Sequence, residues 1–193
     1  MPRRCGWVDE GSELYARYHD EEWGVPVHED GRLFEMLLLE SFQAGLSWIG
    51  ILKKRENFRR AFDGFDPEKI ARYDEKKVDR LLQDAGIVRN RSKIMAAIGN
   101  AAAFLQIQKE YGSFDRYLWS FTGERTLCGS FGQGPPPART ELSDAISADL
   151  RKRGMKYVGS VIIYSYLQAV GVVNDHEPGC FLHPGRGEIC AKP

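Results

Sequence analysis

Asp74–Gln108, DEKKVDRLLQDAGIVRNRSKIMAAIGNAAAFLQIQ, carries two helical patterns separated by a few residues. Asp74 suits an N-cap, and Val78, Leu81, Leu82 and Ala85 then fall on one helix face. Gly86 is a natural stop, and Ile87-Val88-Arg89-Asn90 leaves room only for a tight connection. Ile94, Ala97, Ile98, Ala101 and Leu105 restart the helical period and carry it to about Gln108. Residues 75–108 therefore read as helix, hairpin, helix.

The same period extends outward from this unit. Leu33, Met36, Leu37, Glu40 and Ala44 predict a mostly buried helix over Asp30–Ala44, ending near Gly45. Asp66-Pro67 pairs a cap with proline at the first helical position and opens a short helix to about Tyr73. Further helices are expected at Ser113–Phe121, at Ser143–Arg153 with Ser143 as cap, and at Val158–Val170. The last is rich in strand formers, but its length and Gly171 as a stop favour helix. The Gly- and Pro-rich Thr122–Arg139 reads as a loop or linker between lobes. The expected fold is all-α, one unit over residues 1–193 with two helical lobes around a cleft.

Composition agrees with a folded globular protein: 193 residues, 42% hydrophobic and 28% charged. Lys plus Arg and Asp plus Glu both number 27, so attraction for a polyanion has to come from local clusters. The opening MPRRCGWVDEG has no apolar run behind its basic residues and does not read as a secretory signal. VIIYSYLQAVGVV, the most apolar stretch towards the C-terminus, is broken by Ser165, Gln168 and Gly171 and is too short to span a bilayer. The expectation is a cytoplasmic protein, acting as a monomer with no membrane partner.

Three groups of residues carry possible chemistry. Glu40 lies in the greasy run LLLESFQAGLSW, and its helix neighbours are Met36, Leu37, Gln43 and Ala44, none of them basic. It either reaches water at the helix rim or lines a pocket, where an unpaired carboxylate is costly. Trp7, Tyr15, Tyr18, Trp23 and Trp48 suit a core, or a ring-lined site for a flat cation beside that carboxylate.

His176 and Cys180 stand four residues apart, a common ligand step, and Cys5 with His19 could complete a Cys2His2 set joining the two ends of the chain. A local set of His176, Cys180, His183 and Cys190 competes on spacing. Either set would be a closed, structural zinc site. Finally, Arg89, Arg91 and Lys93 at the hairpin, and Lys152, Arg153 and Lys156 around Gly154, form basic clusters. They are a solvated face, or phosphate contacts beside the start of the second helix and the hairpin glycine, Gly86.

Together CGW (5–7), YHDEEWGVP (18–26), QAGLSW (43–48), KKRE (53–56), DAGI (84–87) and VNDH (173–176) resemble the bacterial 3-methyladenine DNA glycosylase I family, in order over about Arg4 to Pro184. The resemblance implies a member of the helix-hairpin-helix DNA glycosylase superfamily with a structural zinc tying segments 1–30 and 172–193 together. It implies Cys5, His19, His176 and Cys180 as zinc ligands, which chooses between the two sets. It implies Glu40 as the catalytic-pocket carboxylate contacting the excised base, with Trp7, Tyr15, Tyr18 and Trp48 around it. Phe42 departs from the family, which favours a polar residue there, and so bears on pocket shape.

The implied reaction is monofunctional: base excision repair of alkylated double-stranded DNA, with 3-methyladenine flipped out, released by hydrolysis, and an abasic site left behind. N3-alkylation makes the base cationic and a good leaving group, so a negative charge among rings does much of the work. Ser92–Asn100 contains no Asp or Glu, in keeping with a family that lacks the aspartate its relatives place after the hairpin. Gln43 and Leu46 are candidates to fill the vacated base stack, Leu46 being core in the plainer reading. Gly86, Arg89, Arg91 and Lys93 would hold the DNA backbone. A different class of protein, a non-catalytic DNA-damage binding module, would keep the hairpin and zinc and hydrolyse nothing.

Overall fold

The computed structural model describes residues 3–128 and 137–183. Ten helices order the described chain: α1 Glu13–Glu21, α2 Asp30–Gln43, α3 Trp48–Leu52, α4 Arg55–Ala61, α5 Pro67–Ile70, α6 Glu75–Gln83, α7 Arg91–Tyr111, α8 Phe114–Ser120, α9 Glu141–Lys152 and α10 Ser160–Ala169. Two-residue strands β1, Leu127–Cys128, and β2, Val173–Asn174, pair in parallel with Leu127 opposite Val173. The molecule is mostly helical rather than strictly all-α. Among the described residues no helix is long and apolar enough to cross a membrane.

α2 is the axis. Every residue from Leu33 to Phe42 is buried, because α3, α7, α8 and α10 pack around it. A helix apolar on nearly all sides is stable only when enclosed in this way. Asp30, at its start, accepts the N–H groups of Phe114 and Asp115 at 2.9 and 2.8 Å and so caps α8 as well.

The unit at 75–108 forms α6 and α7 joined by residues 84–90, with Asp74 and Asn90 capping the two helices through the N–H groups of Lys77 and Lys93. α6 stops at Gln83, before the expected glycine. Gly86 lies in the connection, where its N–H donates to Asp84 Oδ1 at 2.7 Å. α7 runs on to Tyr111, ended by left-handed Gly112. α9 starts two residues before the expected cap: Thr140 is the cap and Ser143 reciprocates from the third helical position. β-Branched residues 158–163 did not make a strand, and α10 forms, with Gly171 just beyond it at φ +71°. A Cβ there would lie 2.3 Å from Pro26 N, so only glycine lets this corner close on the chain after α1. Of the Thr122–Arg139 loop, residues 129–136 lie outside the described residues, as does the tail with Cys190.

α1, α3 and α4 had no clear signal of their own. They are short and held by tertiary contacts rather than by periodicity: α3 packs on α2, α1 on α3, and α4 on the 3-10 turn Asp63–Phe65 and, through Arg55, Phe58 and Arg59, on α2.

Candidate functional site

One face of α2, the turn at 5–8, α1, the start of α3, the end of α10 and the segment after β2 enclose a cavity of about 240 Å³. Trp7, Tyr15, Tyr18 and Trp48 all line it, with Glu40 and Gln43 from α2. Trp23, Ser165, Gln168, Asp175 and Glu177 complete the wall. Trp23 belongs to the gathered aromatics but not to the implied base contacts, and the other four do not stand out in the sequence, since nothing in local spacing distinguishes them from core or loop.

The rings support one another. Trp7 meets Tyr15 at 5.1 Å and Trp23 at 5.0 Å between centroids, both edge to face, and Tyr18 lies tilted against Trp48 at 5.5 Å. Such pairs prefer this geometry because the positive ring edge faces a negative ring face. Burial first, and the Glu40 charge second, raise both Tyr15 and Tyr18 above the usual phenol range, so their hydroxyls stay protonated.

Glu40 is 3% exposed and, among the described residues, no side chain or backbone group hydrogen-bonds to its carboxyl. Burial pushes it up to about 8. At neutral pH the carboxyl is therefore largely protonated until something cationic or rich in donors comes beside it. In residues of the same wall, Trp7 Nε1, Trp48 Nε1 and Asp175 Oδ1 are buried without hydrogen-bond partners. A flat, positively charged guest in the cavity would meet the Glu40 carboxyl and the ring faces together.

Behind the ring wall lie Cys5, His19, His176 and Cys180, all buried, their donor atoms within 4.8 Å of one another. The Cys5 Sγ to His176 Nδ1, Cys180 Sγ to His19 Nε2 and Cys180 Sγ to His176 Nδ1 separations are each 3.5 Å. Tetrahedral bonds of about 2.3 Å to sulfur and 2.0–2.1 Å to nitrogen place sulfur and nitrogen roughly 3.6 Å apart, so the spacing fits a metal ion. Each imidazole spends its other nitrogen on an acceptor: His19 Nδ1 on Asp20 at 2.8 Å, itself held by Arg4, and His176 Nε2 on the Trp23 carbonyl at 3.1 Å. That is how ligating histidines are fixed in one tautomer. Burial pushes the Cys5 thiol up to about 12, a cost that a bound cation reverses. Trp7 packs on His19 and Trp23 on His176, at 5.4 and 4.7 Å, so the cluster also braces the cavity wall. Among the described residues His183 does not join this cluster, and Cys190 of the competing set lies outside them.

At the mouth of the cavity, Gln43 to Leu46 is a type II turn with Gly45 at φ +77°, closed by Leu46 N–H to the Gln43 carbonyl and Gln43 Nε2 to the Leu46 carbonyl, both 2.6 Å. Leu46 is 45% exposed, which removes the reading of it as core. Phe42 packs on Phe58 and Phe62 at 4.8 and 5.6 Å and does not line the cavity, so it does not shape the wall as expected.

The basic residues divide. Arg89 is exposed with no ion pair among the described residues, and Arg91 is exposed but pairs with Glu75 and Asp79 of α6. Lys93 corrects the expectation of a phosphate contact. It is buried, and its ammonium donates to the carbonyls of Phe42 and Ala44 at 2.9 and 2.6 Å. The last carbonyls of α2 lack helical partners and carry partial negative charge, which draws the lysine inward. Gly86 likewise has its N–H committed to Asp84 and its carbonyl to Lys54 and Asn57. It offers a phosphate no free N–H in this conformation.

A family model for methyladenine glycosylases matches residues 7–183. The chain belongs to the methyladenine glycosylase family. It is 51% identical over 183 residues to DNA-3-methyladenine glycosylase 1 of Escherichia coli (strain K12), covering 94% of this chain and 97% of that protein. A crystal structure of 3-methyladenine DNA glycosylase I superposes with a TM-score of 0.90 at 49% identity, over 94% of this chain and 100% of that one. A Staphylococcus aureus structure described as the basis of 3-methyladenine recognition by the same enzyme type gives 0.87 at 34% identity, over 94% and 96%.

Proposed function

We propose that this member of the methyladenine glycosylase family is a monofunctional DNA N-glycosylase that releases 3-methyladenine from alkylated duplex DNA and leaves an abasic site. The observation that carries this reading is Glu40, a carboxyl sealed among tryptophans and tyrosines with no protein partner. A cationic base stacked there meets the negative charge it lacks elsewhere, and its arrival draws the Glu40 proton off. Rings and carboxylate hold the base as the glycosidic bond breaks; water supplies hydroxyl to the sugar. Glu40 serves as a binding and electrostatic group, which suffices for a leaving group already weakened by its charge.

The DNA face in this reading comprises the Gln43–Leu46 turn and the start of α7. Leu46 and Gln43 enter the stack the base vacates, Arg89 and Arg91 meet phosphates from the α6–α7 helix-hairpin-helix, and Lys93 holds the turn in place from behind. Among the described residues no lysine lines the cavity, and Lys93, the nearest candidate in sequence for a Schiff base, has its ammonium on the Phe42 and Ala44 carbonyls, which supports simple hydrolysis. Cys5, His19, His176 and Cys180 would hold zinc, whose contribution is structural because four protein donors leave no position open.

The test is to incubate methylated DNA with the protein and separate the freed purines by chromatography. Released 3-methyladenine with alkali-labile sites, no borohydride-trapped complex, and loss of release in Glu40→Gln are the expected results. Tight lesion binding without any freed base would make the chain a damage-binding module instead, and metal analysis of the purified chain checks for one zinc.

A further inference from the structure

A second hollow, of about 250 Å³, shares the Tyr18 wall with the ring-lined cavity but has a different chemistry. Four arginines line it: Arg17 from α1, Arg32 from α2, and Arg55 and Arg59 from α4. Leu14, Leu52 and Tyr18 supply its apolar part. The guanidiniums are within reach of solvent, since Arg17 is exposed and the Arg32 and Arg59 side chains are 35% and 38% exposed.

Two carboxylates stand among these cations: Glu22 in the lining, and Glu35, bonded to Arg32, Arg55 and Arg59. A third, Glu56, is 70% exposed and leaves its charge in water. Four guanidiniums against two carboxylates leave an excess of two positive charges in the hollow. N–H groups are also in surplus, because each guanidinium carries five. The Arg17 guanidinium has no hydrogen bond or ion pair among the described residues. Arg32 spends its two Nη atoms on Glu35 and Glu22 and keeps Nε, and Arg55 Nη2 meets only Met36 Sδ, a weak acceptor, at 3.7 Å.

We propose that this arginine-lined hollow is a binding site for a phosphate dianion, either free or as the end group of a small monoester. Two negative charges balance the local excess, and several oxygens on one centre suit guanidinium forks arriving from α1, α2 and α4. A carboxylate brings half the charge and fewer acceptors. A duplex backbone is a rail of singly charged diesters met by protruding side chains, whereas the Arg55 side chain is recessed at 11% exposure. The site stands apart from the glycosylase reading and does not rest on it.

The experiment titrates the full chain by calorimetry with inorganic phosphate and, separately, with deoxyadenosine 5′-monophosphate, each against sodium chloride of equal ionic strength. Wild type, Arg17→Ala and Arg17→Lys are compared; Arg17 is the position to change because it supports no other residue. Saturable binding of at least one probe is expected, weakened about tenfold in Arg17→Ala and less in Arg17→Lys, which keeps the charge but loses the fork. The probe that binds identifies the source of the phosphate. In ¹⁵N-labelled wild type, the Nε–H signals of Arg32 and Arg55 should shift as that probe is added. Binding of neither probe, equal heat from chloride, or equal affinity in Arg17→Ala overturns the site. Loss of undamaged-duplex affinity in Arg17→Ala with phosphate affinity unchanged also overturns it, making Arg17 a backbone contact instead. Release of 3-methyladenine by Arg17→Ala should match wild type; a fall in step with phosphate affinity would mean damage to the fold and would equally overturn the assignment.

Discussion

Glu35 and Glu40 are buried in the same helix, little more than one turn apart, at 2% and 3% exposure. Glu35 is enclosed by cations: Arg55 Nε at 2.7 Å, Arg59 Nη2 at 2.8 Å and Arg32 Nη1 at 3.0 Å. Arg55 and Arg32 also reach Glu22, so that side of α2 is a continuous charge network. Glu40, on the other side, has rings for neighbours and no partner. Burial therefore does not separate a structural acid from a functional one. The partners do, because a paired carboxylate is already stabilised and an unpaired one is stabilised only by what it binds.

The largest expected effect breaks the Glu35 side. Glu35→Gln removes the buried charge that three guanidiniums share, leaving Arg32 and Arg55 with Glu22 and Arg59 with Glu56, and the fold should lose about 3 kcal/mol, the lower end for a broken buried pair. Urea denaturation would measure it, and base release per folded molecule should stay within about twofold.

Glu40→Gln should do the reverse, lowering 3-methyladenine release roughly 100-fold with no loss of stability. Single-turnover release from methylated DNA checks the first part and thermal melting the second. Equal damage to stability in both variants would erase the contrast between the two acids.

pH sharpens it further. Glu40 is raised from 4.5 to about 8, so the folded chain holds this proton more tightly than the unfolded chain does. Its contribution to stability is full below about pH 4.5 and is lost as pH climbs towards 8. Wild type and Glu40→Gln should thus differ increasingly in unfolding free energy over that window, to the mutant's advantage. Binding of the cationic base expels the same proton, so wild-type kcat/KM should rise with pH by up to about tenfold per unit and level near 8, while the mutant profile stays flat.

The smallest effect lies at the rim. Arg89→Ala should weaken all duplexes alike and reduce the slope of log affinity against log salt by about 1. Specificity for the lesion, set inside the cavity, should not move.

Much of this was legible in residue order. The α2 and α6–α7 helices followed from apolar spacing and caps, and Glu40 stood out because no base occupies its helical neighbours. The metal cluster and the ring wall came from motif resemblance, and the structure brings those residues together as implied. Lys93 and Gly86 were misjudged for one reason: a basic residue and a glycine beside a hairpin look available for phosphate, yet both had been recruited by neighbours distant in the chain. Lys93 meets carbonyls some fifty positions earlier. Glu35 passed unnoticed because two of its three partners lie on α4, beyond helical range.

By itself the order of residues determined where helices start, which faces are apolar, and which family the chain resembles, since capping and periodicity act within a few residues. Only the tertiary structure decided which charges are spent and which are kept for a guest. Coulombic and hydrogen-bonding partners are chosen by distance in space, and burial makes each choice count several-fold more than it would in water.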